Sequence, residues 1–172
     1  MLQLATNYKR YSGVKWMNKE LVIEQSDSEN DKFLQYLTYS LDEEIYGINI
    51  MQVQEVLRYR EISPVPGSPN CVLGIINLRG NEVTVIDNRL RFGLIPGEVT
   101  NNTRIIIMEL ESIVTGILVD SVAEIVYLKS SEIDSASNIG LVKSAQFIQG
   151  VSHREDGLLF LVNLNTLFTQ EK

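Results

Sequence analysis

The stretch VPGSPNCVLGIINLRGNEVTVID, Val65 to Asp87, constrains the fold of this chain more than any other. It opens on a stiff corner, Pro66-Gly67-Ser68-Pro69, where proline fixes φ and glycine permits positive φ. An apolar patch follows, and then two β-branched runs flank Gly80-Asn81. Glycine at the first central position of a two-residue loop predicts a type II′ hairpin. Counting outward places Arg79 opposite Glu82, Leu78 opposite Val83, Asn77 opposite Thr84 and Ile76 opposite Val85. Side chains alternate along a strand, so Ile76, Leu78, Val83 and Val85 form a core stripe. The other face carries Asn77, Arg79, Glu82 and Thr84 near the turn, with Ile75 and Ile86 further down. Arg79 then has two readings. One is a cross-strand ion pair with Glu82; the other is a recognition residue using its planar fork of donors.

The rest of the chain repeats short strands between turn signals. FLQYLTYSL from Phe33 alternates two faces, Asp42-Glu43-Glu44 reads as a turn, and Ile45 to Ile48 returns. The spacing of Ile50, Val53 and Leu57 predicts a short helix that turns extended from Glu55 to Arg60. After Asp87, NRLRFGL predicts one helical turn ended by Gly93. Strands follow at Arg104 to Leu110, Val114 to Asp120 and Ser121 to Leu128. Gly116 inside its strand predicts a bulge or the close approach of another chain. The polar run from Lys129 to Ser144 reads as surface loop. A last hairpin turns through Arg154 to Gly157, and a short helix spans Asn163 to Phe168. About ten short strands and little helix make this an all-β barrel or sandwich protein.

Composition bounds the function. With 172 residues the chain can bury a real core, and a net charge of −7 argues against a phosphate-backbone binder. Cys71 is the single cysteine and reads as a small buried hydrophobe; a disulfide framework within the chain is impossible, which suits a reducing cytosol. No apolar run approaches the ~20 residues needed to cross a bilayer. The chain reads as cytoplasmic, without direct membrane insertion. His153 is the only histidine and lies at a hairpin edge, so neither a Ser-His-Asp set nor a zinc site finds its members. No phosphate loop or dinucleotide fingerprint appears. These observations favour a binding protein over an enzyme and imply no metal or cofactor. Residues 1–31 segregate bases (Lys9, Arg10, Lys15, Lys19) from acids (Glu20, Glu24, Asp27, Glu29, Asp31) and read as a mobile tail. Met17 offers an alternative start, so residues 1–16 are read as outside the native product.

Several islands in order carry a family resemblance: Glu44-Ile45-Tyr46-Gly47-Ile48, Val53-Gln54-Glu55-Val56, Gly74 followed by Asn77-Leu78-Arg79-Gly80, and Val119-Asp120. Together, across Phe33 to Phe168, they resemble the CheW family of bacterial chemotaxis coupling proteins. The resemblance implies two packed SH3-like β-barrels of about five strands each within residues 32–172. It implies a non-enzymatic adaptor that links the cytoplasmic tip of transmembrane chemoreceptors to the regulatory domain of the histidine kinase CheA, at membrane-associated arrays. A related reading keeps the fold but places it in another chemosensory circuit, such as gliding or pilus control. Matched residue by residue, Val53, Glu55, Asn77, Arg79, Gly80, Gly116 and Val122 fall where the family's partner contacts or their supports lie, and Ile75 and Ile86 would add apolar area. Core packing is the competing reading for Val53 and Val122. Two departures stand out: Thr84 where the family usually has proline, and Asn88 where leucine is common.

Overall fold

The computed structural model describes residues 31–136 and 145–169, with the backbone of 14–17 and 20–23. The chain divides into two units, Met1–Lys32 and Phe33–Lys172. In the first, β1 (Val14–Met17) and β2 (Glu20–Ile23) pair as an antiparallel hairpin with Val14 opposite Ile23. Charge segregation did not announce that hairpin. The rest of the stretch read as a tail lies outside the described residues apart from Asp31, as does 137–144 of the polar run.

Among its described residues the second unit is built from two sheets and two short α-helices. Barrel one contains β3 (Phe33–Leu41), β4 (Glu44–Asn49), β10 (Ser121–Lys129), β11 (Asp134–Ser135), β12 (Ile148–Arg154) and β13 (Gly157–Val162). Its spatial order is β10-β3-β4-β13-β12-β11. Barrel two contains β5 (Val53–Arg58), β6 (Val72–Leu78), β7 (Asn81–Asp87), β8 (Arg104–Leu110) and β9 (Ile113–Val119), in the order β5-β8-β9-β7-β6. One parallel pairing lies inside each sheet, β4 with β13 and β7 with β9. Two short helices join the elements, α1 (Asn88–Arg91) after β7 and α2 (Leu164–Phe168) at the end.

Three hydrophobic clusters explain the strand patterns. Barrel one encloses Tyr36, Val126, Leu128, Leu159 and Leu161. Barrel two encloses Ile76, Val83, Val85, Ile105 and Ile107. The largest cluster joins both sheets, with Leu37, Tyr39 and Leu41 of β3 against Ile106 and Met108 of β8. A strand buried on both faces reads as a continuous apolar run, which is why β8 is RIIIMEL rather than alternating.

Barrel two closes on itself after β5. Ser63 donates to the Ile75 carbonyl at 2.9 Å and accepts from the Ile75 amide at 2.8 Å, so the proline-rich connection lies along the free edge of β6. The approach is so close that a Cβ on Gly74 would sit 2.0 Å from the Ser63 carbonyl oxygen.

Several expectations need correction. The β6–β7 loop is Arg79-Gly80, with φ of 50° and 86°, not Gly80-Asn81. Positive φ at both central residues marks a type I′ turn rather than II′. Pairing slips accordingly: Leu78 faces Asn81, Asn77 faces Glu82 and Ile76 faces Val83. The Asn77 Oδ1 accepts the Gly80 amide at 3.1 Å, which holds the turn in this form. The short helix is a 3-10 turn, Ile50–Gln52, and the chain is already extended at Val53. Gly116 causes no bulge, because register runs evenly past it into both neighbours; what comes close is the adjacent strand's own Ile105, its Cγ2 3.0 Å from where a Cβ would lie. Cys71 is half-buried rather than a core residue. Asn88 is fully buried and its Nδ2 donates to the Tyr39 hydroxyl at 2.8 Å. Burial pushes the Tyr39 phenol well above its ordinary range.

Candidate functional site

The β6–β7 turn lifts Arg79 to the tip of barrel two, where its side chain is 74% exposed. Its guanidinium does not pair with Glu82. Instead it grips Glu55 of β5 with both arms, Nη1 to Oε1 at 2.8 Å and Nη2 to Oε2 at 2.9 Å. β5 and β6 are the two edges of the five-stranded sheet, so this fork ties the ends of the barrel together. Moving Arg79 into the turn makes the reach possible. A left-handed residue costs roughly 1–2 kcal/mol, and the Asn77 bond and the fork offset part of it. With Arg79 so exposed, the pair itself contributes only a few tenths to ~1 kcal/mol. It orients the side chain more than it stabilises the fold. Next to it, the Gln54 amide donates to the Glu109 carboxylate, continuing a polar rim along β5 and β8.

The other predicted positions separate by burial. Asn77 and Gly80 are exposed with Arg79, and a Cβ on Gly80 would meet nothing within 4 Å, so this glycine serves the turn. Ile75 is half-buried beside the Ser63 bridge. Ile86 and Val53 are half-buried against the shared core, and so is Val122, opposite Tyr39. The outer face of barrel two near Ile86 is therefore a flank of the junction rather than a free apolar surface beside Arg79. Gly116 is inside barrel two and acts on any surface only through packing. One cluster thus emerges at the surface, exposed Asn77, Arg79 and Gly80 with half-buried Glu55, and the remaining residues lie behind it.

A second polar constellation joins the barrels and was not legible as such. Arg89 of α1 donates from Nε and Nη2 to Asp120, at 2.8 and 2.6 Å, and from Nη1 to the Ile95 carbonyl. Asp120 also accepts the Asp42 amide at 2.8 Å, from the β3–β4 turn of barrel one. Burial pushes the Asp120 carboxyl up, but the Arg89 bond, the Asp42 amide and the Arg89 charge outweigh that and hold it below its ordinary value. Beside it, Arg91 reaches the carbonyls of Leu167 at 2.8 Å and Thr169 at 2.6 Å and lies over the Phe147 ring. Val119-Asp120 stood out as a motif, but nothing local paired Asp120 with a residue 31 positions away. His153 is a surface residue, its Nε2 3.6 Å from Asp134.

Two barrels on a common core, with a charged tip on one and a polar clamp at their junction, define an all-β protein of two joined barrels. The chain matches the CheW-like domain over residues 35–172 and belongs to that family. It is 34% identical to the chemotaxis protein CheW of Bacillus subtilis, across 73% of this chain and 81% of that protein. Its identity to CheW of Klebsiella aerogenes is 29%, across 80% and 83%. The crystal structure of the scaffolding protein TtCheW from Thermoanaerobacter tengcongensis superposes with a TM-score of 0.75 at 31% identity, across 80% of this chain and 94% of that one. The family is one of chemotaxis scaffolds.

Proposed function

We propose that this chain is a non-enzymatic adaptor that couples the cytoplasmic tip of transmembrane chemoreceptors to the regulatory domain of the histidine kinase CheA. It would work in the cytoplasm, recruited to membrane-associated arrays. Among the described residues no helix is long and apolar enough to cross a membrane. The observation that carries the reading is the Glu55–Arg79 fork. It displays an arginine, preoriented, on family-motif positions at the apex of a stiff hairpin. Arginine held this way is suited to an interface, since the side chain is ordered before the partner arrives. Glu55, Asn77, Arg79 and Gly80 make the contact tip, while Val53, Ile75, Ile86, Gly116 and Val122 support its shape.

The test is binding of the purified full chain to the kinase regulatory domain and, separately, to a receptor cytoplasmic fragment. Arg79→Glu should weaken one of the two by about 2 kcal/mol or more, the scale of an interface hot spot. The double exchange Glu55→Arg with Arg79→Glu restores the ion pair in reverse. Persistent loss in that variant assigns Arg79 to direct contact, and recovery assigns the pair to shaping the tip. A folded wild-type chain that bound neither partner would defeat the adaptor reading.

A further inference from the structure

Arg58, the last residue of β5, and Arg104, the first of β8, are direct register partners. Side chains opposite one another on adjacent strands leave on the same face, and like charges placed so destabilise a sheet. The chain carries a net charge of −7, so acids abound. Yet among the described residues neither Arg58, Arg104 nor the neighbouring Arg60 has an ion-pair partner, whereas Arg79, Arg89 and Arg154 each do. An unrelieved like-charge opposition in an acidic protein asks for an external anion.

The surroundings have the form of a site. Arg58 and Arg104 line an open cleft of about 480 Å³, with Tyr59, Val99, Thr100 and Asn101. Arg104 is steadied by two bonds from Nη1, to the Asn101 carbonyl at 2.8 Å and the Thr103 carbonyl at 2.9 Å, neither of which neutralises its charge. The wall opposite is a braced turn. The Thr100 amide donates to Thr103 Oγ1 at 2.8 Å, and the Thr103 amide to the Thr100 carbonyl at 3.1 Å. Tyr59 and Val99 are 41% and 50% exposed and give the cleft an apolar side. Glu55 and Arg58 are three evenly paired positions apart, so they point to opposite faces of β5. This surface is therefore distinct from the Arg79 tip.

We infer that this cleft is a second docking site, for an acidic peptide segment of a partner protein. Its carboxylates bind across Arg58 and Arg104, and an adjacent apolar side chain packs on Tyr59 and Val99. Charge complementarity selects the occupant, and the volume and apolar side of the cleft favour a peptide over a compact inorganic anion. The inference rests on the adaptor reading only for the existence of a partner, and its test uses none.

Fluorescence anisotropy of the full chain would be measured with a fluorescein-labelled peptide alternating glutamate and leucine. The glutamine-leucine peptide and inorganic phosphate serve as comparisons. The glutamate peptide should bind at least tenfold more tightly than the glutamine peptide and weaken as salt rises. Arg58→Gln should weaken it tenfold or more, Arg58→Lys less, and Arg154→Gln on barrel one not at all. Arg58→Gln should keep or raise Tm, because it removes a like-charge opposition. Equal binding of the two peptides, binding indifferent to Arg58→Gln, or displacement by phosphate at the peptide's own concentration would overturn the inference. So would a fall in Tm accompanying the loss of binding, which would place Arg58 in the fold instead. Arg79→Glu and the kinase and receptor fragments decide the adaptor reading separately.

Discussion

Gly74→Ala tests how barrel two is closed. Gly74 sits at a φ of 145°, a region that L side chains rarely adopt. Its added Cβ would lie 2.0 Å from the Ser63 carbonyl oxygen, 2.6 Å from that carbonyl carbon and 2.9 Å from Pro64 Cα. Ordinary non-bonded contact needs about 3.5 Å, and these are backbone atoms with no rotamer to escape into. The 63–64 segment must move back by more than 1 Å, which breaks the two Ser63–Ile75 bonds of 2.9 and 2.8 Å. Two net hydrogen bonds are about 2 kcal/mol. Any relief of the clash that keeps the native φ costs ~1–3 kcal/mol of backbone strain. The sum, about 3–5 kcal/mol, is a large part of a typical domain stability of 5–15 kcal/mol. Urea unfolding of the full chain would read it as a lower midpoint, and amide exchange would accelerate at Ser63 and Ile75. A loss below about 1 kcal/mol with both amides still protected would refute the closure argument.

Gly116→Ala should cost less, about 1–3 kcal/mol in the same urea assay, because its Cβ meets side-chain atoms of Ile105, Ile107 and Val85 at 3.0–3.4 Å, and these can shift. A cost above that of Gly74→Ala would reverse the reasoning. Asp120→Asn should remove about 1.5–3 kcal/mol at pH 7 by weakening the charge-assisted bonds from Arg89. The Asp120 carboxyl titrates lower in the folded chain than unfolded, so its contribution is complete above about pH 4 and is lost as pH falls through the depressed folded value. The gap between wild type and variant should therefore close in acid, and a gap unchanged at pH 3 would count against the clamp. Arg91→Ala should speed amide exchange in α2 and lower stability by about 1–3 kcal/mol, since Arg91 holds the carbonyls of Leu167 and Thr169 and covers Phe147. Unchanged exchange in Leu164–Phe168 would refute that role.

The hairpin shows why some errors in reading a sequence are harmless and others are not. Placing the loop at Gly80-Asn81 instead of Arg79-Gly80 changes every cross-strand partner. It does not change which face a residue takes, because moving a two-residue loop by one position shifts the pairing by two and preserves parity. Ile76, Val83 and Val85 are in the core either way. The same slip does change Arg79, which leaves the strand, enters the turn and finds Glu55 rather than Glu82. Ile86, expected to add apolar area on that face, is half-buried against the shared core for a different reason: the outer face of one barrel is in part the inner face of the junction.

What the sequence determined by itself is local. β3 and β8 carry their exact limits in period and turn signals, and the final hairpin and both short helices are placed to within a few residues. Backbone propensity and side-chain alternation act over neighbouring residues, so they can be counted along the chain. Tertiary structure decided which strands became neighbours, including the parallel pairs β4–β13 and β7–β9 that no turn could specify. With those came the Glu55–Arg79 fork, the Arg89–Asp120–Asp42 clamp and the facing Arg58 and Arg104. A charge finds its partner through space, and the sheet order that brings two such residues together is set by how the whole chain buries its three clusters.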